Sequence, residues 1–158
     1  MPELWGVLNV TPDSFSDGGR YIDPAAAIRH GRAMLAEGAL VLDVGGESSR
    51  PAGHTYGEGF GRVPVDEEKA RVVPVIEALV AELGARVSID TVKPRVAEAA
   101  LAAGARFVND VRCAVDPGLA EVAASVGADY VIMHNRGLGE VRPPNTDYSD
   151  VAEDVLRE

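Results

Sequence analysis

One short unit recurs along the chain: the dipeptide Gly-Ala, a brief apolar run and a polar end. It begins at Gly38, Gly84, Gly104 and Gly127 and reads GALVLDVGG, GARVSIDT, GARFVND and GADYVIMHN. Each glycine follows a helix-like stretch, where a residue free to turn left-handed closes a helix. Each run suits a buried strand of about five residues and is too short for a helix. The far ends are polar: Asp43 and Glu47, Asp90, Asn109 with Asp110, then His134 with Asn135. An opening strand, LWGVLNV, contributes Asn9 in the same way.

The stretches between the runs are amphipathic. Asp23-Pro24 and Asp116-Pro117 each place a capping side chain before a proline suited to a first helical turn. The first helix is expected to reach about Glu37 and to bury Ile28, Met34 and Leu35. A second begins near Asp66-Glu67-Glu68, acids that favour a helix amino end, and carries Val72, Val73, Ile76, Leu79 and Val80 on one side. Pro74 is expected to kink it. A third opens at Lys93-Pro94, and a last one near Tyr148.

Strands alternating with helices imply a parallel sheet with right-handed crossovers. A (β/α) barrel and an open doubly wound sheet both place functional groups at the carboxyl ends of strands. One aspartate after a strand is ordinarily a turn or capping residue. Polar residues ending five strands in series point instead to a shared site and favour the barrel, since an open sheet gathers its site at one switch point. No Gly-x-Gly-x-x-Gly follows the first strand.

Composition removes other classes. The 158 residues carry a formal net charge of −10, contrary to the basic patches of nucleic-acid binders. No apolar run approaches the roughly 18 residues of a membrane span. The amino terminus does not read as a signal peptide. Cys113, the single cysteine, has no internal disulfide partner, which fits a reducing cytoplasm. It reads as a small buried filler, and no Cys/His cluster suggests zinc.

Two loops are distinctive. NVTPDSFSDGG, residues 9–19, is rich in turn formers and hydroxyls and suits a lid. GGESSRPAG, residues 45–53, sets Arg50 beside two serines, an arrangement able to grip an anion. Taken in order with SIDT, the Lys93-Pro94 pair, NDV and MH, these motifs resemble dihydropteroate synthase of the pterin-binding barrel family.

The resemblance implies an α/β, TIM (β/α)8 fold and a transferase of folate biosynthesis, the sulfonamide target. Such an enzyme condenses 6-hydroxymethyl-7,8-dihydropterin diphosphate with 4-aminobenzoate, releases pyrophosphate and uses Mg2+. By resemblance, Asn9 is associated with the metal and the diphosphate, and Asp17 stabilises the cationic pterin as pyrophosphate departs. Phe15, Ser49 and Pro51 belong to the aminobenzoate pocket, while Ser49 and Arg50 face the diphosphate. Asp90 and Asn109 hydrogen-bond the pterin edge, and Met133 packs on its face or fills the core. A cytoplasmic enzyme with two small-molecule substrates, no nucleic-acid or membrane partner, and a possible homodimer is expected.

The resemblance has gaps. Ser49 stands where many relatives have threonine, and the segment 52–64, with His54, Tyr56 and Phe60, is longer than expected. It reads as a surface insertion, or as a shield or subunit contact. About five of eight βα units are present, and the family's later Asp-, Lys- and Arg-x-His-bearing segments are absent. Residues 1–158 are therefore expected to form one pterin-binding barrel domain that is truncated at its carboxyl end and incomplete for activity. Alternatives are a non-catalytic pterin-binding paralogue or fragment, and a pterin- or folate-dependent methyltransferase.

Overall fold

The five strands among the described residues run parallel and pair in the order in which they occur along the chain. The computed structural model describes residues 2–11, 24–47, 63–134 and 147–157. The strands are β1 (Trp5–Asn9), β2 (Val41–Gly45), β3 (Val87–Asp90), β4 (Phe107–Asp110) and β5 (Asp129–Ile132). They alternate with α1 (Pro24–Ala36), α2 (Val65–Leu83), α3 (Pro94–Ala102) and α4 (Pro117–Val126), and α5 (Val151–Arg157) follows. A doubly wound sheet reverses its strand order at a switch point. This one does not, so the five units form an arc of a barrel.

The recurrent glycines act as expected. Gly38, Gly84, Gly104 and Gly127 all have positive φ, a region that L side chains rarely adopt, and each turns the chain from a helix into the next strand. Asp116 caps α4 through the backbone N–H of Gly118, at 2.9 Å.

Strand alternation divides the side chains between two faces. Leu8, Val44, Ile89, Val108 and Tyr130 occupy one register row. The first four join Val72, Ile76, Leu79, Val96 and Leu119 of the helices in a single core, against which Tyr130 packs. The helices thus cover this face, and the opposite face belongs to the barrel interior.

Some expectations change. Ile28, Met34 and Leu35 are only partly buried, because the close approach of α1 is made by small residues, Ala27 and Gly31. On α2 the fully buried stripe is Glu68, Val72, Val75, Ile76 and Leu79; Val73 and Val80 lie at its margins. Helix α2 continues through Pro74, which is exposed. Strand β5 is largely exposed rather than buried, because among the described residues it pairs only with β4 and so lies at the sheet edge. No described helix is long and apolar enough to cross a membrane.

Candidate functional site

The register places Asn9, Gly45, Asp90, Asn109 and Val131 in one row at the carboxyl ends of the strands. This row lies one residue beyond the core row and therefore on the opposite, interior face. Asp90 and Asn109 are direct neighbours on β3 and β4. Adjacent strands are about 4.8 Å apart, so the two polar groups can address one flat edge. Gly45 sits between Asn9 and Asp90, where an added Cβ would come 3.5 Å from Asp90 Oδ2. Its bare backbone leaves the space over Asp90 open.

One step down the same face, Asp43 shares a row with Val7, Ser88, Phe107 and Asp129. Asn109 Nδ2 donates to Asp43 Oδ2 at 2.8 Å. Asp43 is 6% exposed, and its Oδ1 is buried with no hydrogen-bond partner among the described residues, as is the Ser88 hydroxyl.

The outer rim is held by an ion cluster. Lys93, which precedes α3, pairs with both Glu47 and Glu68. Glu68 is only 1% exposed and also accepts from Thr91 Oγ1 at 2.7 Å. Burial acts to lower the Lys93 pKa, but the two carboxylates outweigh it and hold the ammonium above its usual value. Gly46 lets α2 approach, since a Cβ there would lie 2.8 Å from Val72 and 2.9 Å from the Glu68 side chain. Arg71 donates to the Gly46 carbonyl at 2.8 Å. The second loop therefore leaves β2 from a fixed root.

Charge accumulates behind the row. Burial, followed by repulsion from Asp43, Glu68, Asp110 and Glu47, raises the Asp90 carboxyl to about 7. A carboxyl that titrates near neutrality and faces the interior is a candidate ligand-binding group.

The polar pair ending β4 divides. Asn109 faces inward, but Asp110 points toward the helices and is fully buried. It accepts from Arg112 N at 2.7 Å, Ala114 N at 2.8 Å and Tyr130 Oη at 2.7 Å. Burial and then this carboxylate push the Tyr130 phenol above its usual value. Asp110 is thus a structural anchor, and only its neighbour belongs to the site.

Asn9, Asp90 and Asn109 lie in one register row at the strand ends. Met133 lies two residues beyond Val131 and is 42% exposed. Phe15, Asp17, Ser49, Arg50 and Pro51 lie outside the described residues, as do His54, Tyr56, Phe60 and Asn135. Sequence reasoning counted Asp43 among the polar strand ends without giving it a separate role, and read Glu68 and Lys93 only as helix-start residues. Their signals were present: Asp43 precedes Gly45 by one strand period, and Glu68 interrupts the apolar stripe of α2 with an acid.

Several known proteins are similar to this chain. Dihydropteroate synthase of Mycobacterium leprae is 50% identical over 157 residues, spanning 97% of this chain and 52% of that protein. A Yersinia pestis dihydropteroate synthase, solved in a sulfonamide drug complex, superposes with a TM-score of 0.80 at 40% identity, covering 99% of this chain and 54% of that one. A Xanthomonas albilineans dihydropteroate synthase with 4-aminobenzoic acid gives 0.78 at 46% identity, covering 99% and 52%. The chain spans about half the length of the curated relatives it matches. It matches the model of the pterin binding enzymes from residue 5 to residue 158, and it belongs to that family.

Proposed function

We propose that the protein is a dihydropteroate synthase. It joins 6-hydroxymethyl-7,8-dihydropterin diphosphate to 4-aminobenzoate, yielding 7,8-dihydropteroate and pyrophosphate. The observation that carries this reading is the Asp90–Asn109 pair, set side by side on the interior face at the strand ends. A pterin edge carries donors and acceptors that must each be paired in a dry pocket. A carboxylate accepts two N–H bonds, and an amide both gives and takes. The names of the relatives, and the 4-aminobenzoic acid bound by the Xanthomonas protein, support the same substrates.

The chemistry needs no protein nucleophile. Electron density from the dihydropterin ring expels the diphosphate from the exocyclic methylene, whose C–O bond breaks with the pair leaving on oxygen. The aniline nitrogen of 4-aminobenzoate then forms the new C–N bond and loses a proton. The protein supplies orientation and electrostatics. The acids gathered around Asp90, among them Asp43, Glu68 and Glu47, favour a ring that becomes positive. Asp17 is proposed to stabilise that cation directly, and Arg50 and Ser49 to hold the departing diphosphate. Phe15, Ser49 and Pro51 line the aminobenzoate side, and Met133 covers the pterin face.

Asn9 would hold Mg2+. Among the described residues, no group of three or more His, Cys, Asp or Glu is placed to bind a metal. The donor chemistry still fits an ion that keeps most of its waters and takes one neutral protein oxygen beside phosphate oxygens, because Asn9 is exposed at its strand end. When bound, the ion offsets the charge of the leaving diphosphate. A cytoplasmic homodimer completes the proposal.

The test is pyrophosphate release by the full-length chain with both substrates. Wild type is expected to turn over, and Asp17→Asn to lose roughly 100-fold or more in kcat. Pterin binding without release would favour a non-catalytic paralogue, and full turnover by Asp17→Asn would remove the role given to that carboxylate.

A further inference from the structure

We propose that Asp43 is a positioning residue that locks the Asn109 amide, turning its carbonyl oxygen toward the ligand so that Asp90 and Asn109 present neighbouring acceptors to the N–H edge of an aminoheterocycle. This rests on the pterin reading above and adds to it the residue that sets the polarity of the recognition edge.

The argument begins with the 2.8 Å contact between Asn109 Nδ2 and Asp43 Oδ2. In that contact the carboxyl oxygen accepts, so the amide faces Asp43 with its NH2 group. The Asn109 carbonyl is then directed to the other side of the amide plane, away from Asp43. With no such partner, an asparagine amide can turn over and exchange donor for acceptor at almost no cost. The ligand would then meet either pattern.

Asp43 has no evident structural task. Asp110 accepts from two backbone N–H groups and a phenol, whereas the one described side chain bonded to Asp43 is Asn109. Its second oxygen is buried without a partner among the described residues, and it shares its row with Val7, Ser88, Phe107 and Asp129. A buried polar group that bonds a single amide is costly to stability. Orienting that amide is the role its contacts support.

The experiment uses the full-length chain titrated with 6-hydroxymethylpterin, with steady-state turnover measured in parallel. Asp43→Asn keeps the volume but lets either group face Asn109. Pterin affinity is expected to fall about tenfold, with pterin KM rising and aminobenzoate KM and melting temperature nearly unchanged. Asn109→Ala should weaken pterin by itself, and Asp43→Ala should add nothing in that background, because its effect passes through the amide.

Wild-type affinity in Asp43→Asn, or an equal loss from Asp43→Ala with and without Asn109, would overturn the assignment while the pterin reading stood. A variant that no longer melts cooperatively would mark Asp43 as a packing residue and overturn it too. A wild-type protein that binds no pterin would remove both.

Discussion

The two faces of the sheet use the same residue types to opposite ends, and Asp110 of β4 and Asp90 of β3 display the contrast. Asp110 on the helix side has both carboxylate oxygens engaged, by two backbone N–H groups and a phenol. Asp90, on the interior side beside Asn109, is surrounded by other acids and is held near 7. The first arrangement stabilises a loop and fixes the start of the next βα unit. The second is unfavourable to the folded chain until a ligand supplies N–H donors. A carboxylate that is satisfied within the protein builds structure, and one left in repulsion belongs to the site.

The contrast can be broken most sharply at Asp110. Asp110→Ala leaves two backbone N–H groups and the Tyr130 hydroxyl without their acceptor. It should destabilise the full-length protein by about 3 kcal/mol in urea unfolding. A loss below about 1 kcal/mol would put Asp110 on the same footing as the interior acids.

Asp90→Asn should act in the other direction. A carboxyl whose folded pKa exceeds its unfolded value binds its proton more tightly in the folded state. It carries no penalty below about pH 4, loses stability as pH rises toward 7, and carries the full penalty above that. Asp90→Asn should therefore melt higher than wild type at pH 8, by an amount on the order of 2 kcal/mol, and lack that part of the pH dependence. Its pterin affinity should nevertheless fall. Melting curves at pH 5 and pH 8 decide the sign. The smallest effect is expected at Val131, exposed in the same interior row, where Val131→Ala should change stability by less than about 0.5 kcal/mol. A loss comparable to that of a core valine would show that β5 is covered on that side.

Much of this was legible in the sequence because it is written in local rules. The Gly-Ala repeat marked each passage from helix to strand, since only a residue tolerant of positive φ turns the chain there. The polar ends marked the level of the site, and Asn9, Asp90 and Asn109 share a row because each is the last or nearly the last residue of its strand. Facing was harder to read. In NDV the two polar residues looked equivalent, yet a period of two sends them to opposite faces, and only the register tells which is inward. The Glu47–Lys93–Glu68 cluster was hidden for another reason. Its members lie in three separate segments, and the folded chain alone brings the loop root, α2 and the start of α3 together. The burial of β5 was misjudged because an apolar run reports what a segment can cover, whereas its exposure depends on neighbours contributed from elsewhere.

Gly45 has a consequence for how such a barrel can diverge. Alanine there would only touch Asp90, since the hypothetical Cβ makes ordinary contact. A branched side chain would stand as a partition between the first strand and the third. One substitution, with no change of charge, would then separate Asn9 from Asp90 and deny the row to a ligand that has to reach both.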